Sequence, residues 1–133
     1  MTSHSDIATG TNAFAIGPVL GNRSLAPLPG GTVYIDDVAK IEVLSLNQKI
    51  NGNQGFLLSS HGLEGTTWND TIEIVKKNFP QEVTNGLFKL DGMQPAKKLK
   101  IDSSRTEDVF GFKLASYEEQ VKSVIEHYIE LAS

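Results

Sequence analysis

The residues best suited to chemistry are the adjacent carboxylates Asp36-Asp37, the histidines His4, His61 and His127, the run Ser59-Ser60-His61, and the aromatics Phe14, Tyr34, Trp68, Tyr117 and Tyr128. A carboxylate pair can share a metal or divide acid and base roles. Adjacent residues at a helix start point to different sides, however, so capping of orphan N–H groups accounts better for Asp36-Asp37. Histidines ligate metals when their spacing makes them converge, as at i and i+4, and none of these three has such a partner. No metal site is expected. A serine beside a histidine suggests an activated nucleophile, but Ser59 and Ser60 lack a Gly-x-Ser-x-Gly elbow, and sequence neighbours rarely form the nucleophile and base pair. They read as loop residues.

Gly52-Asn53-Gln54-Gly55 has the glycine content of a phosphate loop but precedes an apolar run instead of opening a helix, so it reads as a hairpin turn. Trp68, Tyr117 and Tyr128 fall on apolar helical stripes, where aromatics pack. Asn12, Phe14 and Tyr34 lie on short segments beside a Gly/Pro-rich loop, a place where a cleft can open. They are the candidate pocket residues.

These residues sit in a chain of 133, a length that accommodates one core, so 1–133 is expected to be a single domain with 1–10 flexible. Twelve basic against sixteen acidic residues argue against a phosphate-tracking surface, and no nucleic-acid partner is expected. Without cysteine there are no disulfides, thiol nucleophiles or Cys-ligated metals. No apolar run approaches the ~20 residues of a membrane span, and the first residues have neither a basic nor an apolar leader region. A cytoplasmic location without membrane contact is the expectation. Asn-x-Ser/Thr triplets at Asn22 and Asn69 carry little weight, because such triplets are common by chance.

Asn12 to Leu20 reads as a short helix or extended segment that Gly17-Pro18 would stop, and Gly21 to Gly31 holds too many breakers for regular structure. Thr32 to Ile35 is β-branched and aromatic, as a strand requires, and a helix follows over 36–46 with Ile35, Val38, Ile41 and Leu44 on its buried face. Phe56 to Ser59 reads as a second strand and Leu99 to Asp102 as a third. Thr67 to Asp70 has the form of a capping box for a helix over 67–79, with Trp68, Ile72, Val75 and Phe79 on one side and Pro80 ending it. Gln81 to Pro95 reads as loop with one short turn. Ser104 to Glu107 resembles another capping box, for a helix stopped by Gly111. The box Ser116 to Glu119 opens the last helix, over 116–131, whose stripe is Tyr117, Val121, Val124, Tyr128 and Leu131.

Several of these stretches, taken in order, resemble one family. Val33-Tyr34-Ile35-Asp36-Asp37-Val38-Ala39-Lys40, Gly52-Asn53-Gln54-Gly55-Phe56-Leu57-Leu58, Thr67-Trp68 with Ile74 to Pro80, and Phe110-Gly111-Phe112-Lys113 followed by Tyr117 to Val121 are similar to the C-terminal part of extended short-chain dehydrogenases/reductases. The nearest branch it resembles is the yeast-type methylglyoxal and aldehyde reductases, with the plant dihydroflavonol reductases beyond. The resemblance implies an α/β fold: the helix-rich, substrate-side portion of a Rossmann-type reductase, with two or three short strands. It also implies an NADPH-linked reduction of a ketone or aldehyde, and by carry-over it makes Asn12, Phe14 and Tyr34 substrate contacts.

The chain departs from that family where the chemistry resides. It has no glycine fingerprint at a strand–helix junction, and the residues four after Tyr34, Tyr117 and Tyr128 are Val38, Val121 and Ala132 where a Tyr-x-x-x-Lys pair needs lysine. Neither catalytic residues nor NADPH binding are expected of the isolated chain. It reads as a truncated or split reductase; the alternative is a non-catalytic domain that binds a small molecule or a protein. In either case an apolar patch should lie around Val33 and one side of the 36–46 helix, to be covered by a second copy or by a complementary reductase chain.

Overall fold

The computed structural model describes residues 3–133. Along them run α1 (His4–Ile7), α2 (Asn12–Leu20), β1 (Leu28–Gly30), α3 (Ile35–Leu44), α4 (Asp70–Asn78), α5 (Pro80–Thr84), β2 (Ala96–Lys98), α6 (Ser104–Phe110) and α7 (Tyr117–Ala132). The two strands pair in parallel, with Leu28 opposite Ala96 and Gly30 opposite Lys98. The architecture is therefore helix-rich with one small parallel ribbon, as expected.

The periodic helices hold the core because their apolar stripes face one another. Helices α2, α4 and α7 pack mutually, and α1 adds to α7. Ile7, Ile16, Val19, Val75, Phe79, Phe88, Val121 and Ile125 are buried between them, with Trp68 and Tyr117 at one end. Helix α7 begins as its sequence demands: the Ser116 hydroxyl accepts from the Glu119 amide while the Glu119 carboxylate accepts from the Ser116 amide.

Tertiary partners overrode local propensity elsewhere. Thr32 to Tyr34 is extended but unpaired, and β1 forms instead in the preceding Gly/Pro-rich stretch, where Leu28 donates to the Pro95 carbonyl. Pro29 is tolerated because each strand of a two-stranded ribbon has an open edge that needs no donor. Phe56 to Ser59 is likewise no strand. Its polar backbone is served by side chains from the α6 region: the Ser59 amide donates to Ser103 Oγ, and Thr106 Oγ1 donates to the Leu57 carbonyl. With no strands beside it, the chain only bends at Gly52-Asn53 and forms no hairpin there. In place of the third strand expected over Leu99 to Asp102, β2 lies just ahead of it at Ala96–Lys98.

Pro18 does not stop α2; it lies inside it, and the helix runs on to Leu20. The last turn survives because its carbonyls are bonded from outside. The Pro18 carbonyl accepts from the Gly92 amide at 3.0 Å, and the Val19 carbonyl from both Lys89 and Leu90. Gly92 is obligatory there, since a Cβ would lie 2.5 Å from the Pro18 oxygen. Within the stretch expected to be flexible, Ser3 caps α1 and Ile7 is fully buried. Met1 and Thr2, the rest of that stretch, lie outside the described residues.

Two expected capping boxes are absent. Helix α4 starts at Asp70 without a side-chain cap, and α6 starts after Ser103, with Glu107 turned to the Leu114 amide and Lys113 instead. Gly111 does end α6, in the left-handed conformation. Pro80 both ends α4 and opens the five-residue α5, which supplies the one short turn expected in the stretch up to Pro95. In α3, Ile41 is buried, but Ile35 is 72% exposed and so off the buried face assigned to it. Val43 and Leu46 also face solvent.

Ile125→Ala should cost about 3 kcal/mol, the usual range for emptying a buried aliphatic site. Ser116→Ala should cost about 1 kcal/mol through loss of the cap. Val43→Ala should change stability by no more than ~0.5 kcal/mol. Urea unfolding of the three variants checks the order, and equal losses at Val43 and Ile125 would contradict this core.

Candidate functional site

A cleft of about 450 Å³ opens where α2, the β1 segment and α7 meet. The first turn of α2 contributes Asn12, Phe14 and Ala15. Leu28, Pro29 and Gly31 to Val33 form a second wall. From α7 come Tyr117, Gln120, Val121 and Val124, which share one face at i, i+3, i+4 and i+7, and Trp68 enters from the loop before α4. Two tightly packed backbones fix the β1 wall: a Cβ at Gly30 would meet the Thr66 carbonyl at 2.1 Å, and that oxygen's own amide donates to Gly30.

The polar groups of this cleft are mostly committed. Tyr117 is fully buried, with its hydroxyl 2.7 Å from Thr71 Oγ1. Burial pushes its phenol up to about 12, against the lowering by the Thr71 bond, with nearby Asp70 adding to the rise. It is thus a neutral phenol that resists giving up its proton. The Gln120 amide donates to Ser60 Oγ and to the Ala115 carbonyl. Trp68 is 5% exposed, and its Nε1 has no hydrogen-bond partner.

Of the candidate pocket residues, Asn12 and Phe14 meet in this cleft, whereas Tyr34 is not part of its lining. The Tyr34 hydroxyl lies 3.2 Å from Ser123 Oγ on α7, and its neighbour Val33 lines the cleft in its place. Trp68 and Tyr117 do pack in the core, as expected, but they also form cleft wall. Gln120 was missed. A glutamine inside the apolar α7 stripe was the one signal of a polar contact there.

The other candidates do not converge. Asp37 accepts from the Ala115 amide at 2.7 Å, while Asp36 is exposed on the first turn of α3. His61 is exposed, adopts φ 61° and sets its ring against Tyr117 at 6.2 Å, while Ser60 bonds Gln120. His4 stacks on Tyr128 at 4.3 Å, and His127 lies 3.5 Å from Glu130. Among the described residues no group of three or more His, Asp or Glu side chains is placed to hold a metal.

The dinucleotide implied by the family resemblance needs a glycine turn that leaves a helix N-terminus open to a diphosphate. Gly30-Gly31 precedes α3, but Gly30 is filled by the Thr66 backbone, and Asp36 and Asp37 place negative charge on the first turn. These residues do not fit the group. No described helix is long and apolar enough to cross a membrane.

No family model matches the chain. It is 36% identical to ketoreductase CTB6 of Cercospora beticola over 141 residues, covering 98% of this chain and 40% of that protein. It is 32% identical to the NAD-dependent epimerase/dehydratase ALT6 of Alternaria alternata, covering 91% and 37% respectively. The fold matches Gre2 from Candida albicans in its NADPH complex at a TM-score of 0.65 and 22% identity, over the whole of this chain and 41% of that one. The chain thus spans about 40% of the length of the relatives it matches. In sequence and in fold it corresponds to the C-terminal portion of a short-chain dehydrogenase-like reductase.

Proposed function

We propose that this chain is the substrate-holding portion of an NADPH-linked ketone or aldehyde reductase, and that the carbonyl compound sits in the cleft between α2, β1 and α7. The observation that carries this reading is an aromatic-walled cleft built from the very stretch that relatives named ketoreductases share. Phe14 offers the substrate a ring face and Asn12 a polar amide. Tyr34, tied to Ser123, steadies the segment that presents Val33.

Carbonyl reduction needs a hydride source, a proton donor for the developing alkoxide and a cation that lowers the donor's pKa. Tyr117 is tuned the opposite way, and Val121 stands where a lysine partner would be. The hydride source and the acid therefore come from a complementary Rossmann half outside these residues. The surface that half would cover is the exposed apolar side of α3, with Ile35 and Val43, continuing to Leu46 and flanked by Val33. A second copy of the chain is the other occupant this surface suits. The setting proposed is the cytosol, where NADPH is at hand.

Calorimetric titration of the chain with NADPH should show no binding tighter than ~1 mM; micromolar affinity would reveal a dinucleotide site and remove the need for a second half. Mixing the chain with the cofactor-binding part of a related ketoreductase should produce ketone-dependent NADPH oxidation. Phe14→Ala should raise KM in that mixture by roughly tenfold, the scale of one lost aromatic contact. A mixture that stays inert while the chain still binds ketones would favour the non-catalytic binding domain. Light scattering should find the chain associated, with Val43→Glu returning it to monomer; a wild-type chain that is monomeric at high concentration would count against the exposed α3 face as an interface.

A further inference from the structure

The amide of Gln120 is used at one end and open at the other. Its nitrogen donates to Ser60 Oγ and, at 3.2 Å, to the Ala115 carbonyl. A carbonyl oxygen can only accept, so the end that faces Ala115 is the NH2 group, and both of its protons are engaged. Oxygen and nitrogen diverge from the same carbon, which turns Oε1 away from these two partners. Oε1 itself receives no hydrogen bond. Gln120 is 9% exposed, yet this oxygen is not sealed: among the described residues the only buried side-chain N or O with neither partner nor surface is Trp68 Nε1. The surface Gln120 keeps belongs to the cleft. It lines the space between α2, β1 and α7, whereas Ser60, on its nitrogen side, lines a separate hollow with His61 and Ser103 to which Gln120 does not contribute. A fixed acceptor without a donor therefore looks into the cleft, and the neighbouring Tyr117 hydroxyl, held by Thr71, does not serve it.

Resting on the reading of this cleft as the substrate site, we propose that Gln120 is its specificity-determining acceptor, and that the preferred substrate is an uncharged carbonyl compound that also bears a hydroxyl group, whose O–H donates to Gln120 Oε1. A carbonyl has no proton to offer, so the donor is a second group on the substrate. That donor is neutral, because no Asp, Glu, Lys or Arg lines the cleft to compensate a charge taken out of water. A hydroxyl is the most compact neutral donor, and the walls of Phe14, Trp68, Val121 and Val124 suit an apolar skeleton to carry it. A substrate of the same shape without the hydroxyl strips water from Oε1 and returns nothing, so the cleft rejects it by the cost of an unpaired acceptor.

Three naphthalenes test this on the chain by itself. 2-Naphthol carries the donor, 2-methylnaphthalene has the same shape without oxygen, and 2-methoxynaphthalene has an oxygen that only accepts. In NMR spectra of the ¹³C-labelled chain, the Ala15 and Val124 methyl signals report occupancy of the cleft, and the Gln120 side-chain carbonyl carbon, assigned through its bonds to the α7 backbone, reports the hydrogen bond. All three probes should shift the methyls. Naphthol alone should move the Gln120 carbon downfield, and it should bind roughly tenfold more tightly than the other two, the order expected for one buried hydrogen bond. In Gln120→Met, which keeps the length and removes the acceptor, the three should bind alike; the carbon is read in the wild-type chain, so the outcome does not depend on that variant folding. Naphthol that shifts the methyls yet leaves the carbon in place, or methoxynaphthalene that binds as tightly as naphthol, overturns the acceptor role while the cleft remains the binding site. If no probe shifts any cleft signal, the assignment of the cleft as substrate site falls, and the acceptor role with it.

Discussion

The hydroxyl of Tyr117 and the hydroxyl of Thr71 meet 2.7 Å apart in a place that water does not reach. That contact ties the first residue of α7 to the first turn of α4, the pair of helices on which the core is laid. It also sets the end of the cleft, because Tyr117 and Trp68 can stand against each other only while both helix starts are held in register. Burial makes the bond costly to break: separating the helices would leave two hydroxyls without partners in an apolar interior. The capping box at Ser116 supports the same point from the solvent side by closing the Ser116 and Glu119 amides on either side of Tyr117.

Where hydrophobic period and cap agreed, the sequence was a good guide. The α7 stripe and its Ser116 to Glu119 box are local signals, and both appear as read. The strands were not legible. Thr32 to Ile35 and Phe56 to Ser59 have strand-like residues, but a strand exists only when another backbone lies alongside, and for these segments the available partners are side chains and single carbonyls. Leu28-Pro29-Gly30 has poor strand residues yet pairs, because Gln94 to Lys98 runs beside it. The same limit applied to the site. Asn12 and Phe14 could be suspected from their position near the Gly/Pro loop, while Gln120 and the unpaired Trp68 nitrogen depend on distances that no one-dimensional pattern encodes.

The complementary half proposed above would account for an otherwise odd balance between the two sides of α3. One side buries Ile41, and the other leaves Ile35 and Val43 to water, an arrangement that gives a helix two apolar faces and only one covering. The acidic first turn does not relieve this, since Asp37 turns back to cap the Ala115 amide and contributes to holding α3 on α7's leading loop.

Proline inside α2 has a consequence for motion. Because Pro18 cannot donate, and because the Pro18 and Val19 carbonyls are held by the amides of Lys89, Leu90 and Gly92, the end of this helix opens only when that distant segment lets go. Those three amides lie outside the cleft, yet their exchange with solvent deuterium is governed by the helix whose other end forms its wall. Their protection is therefore a remote gauge of how often that wall loosens, readable without any ligand present.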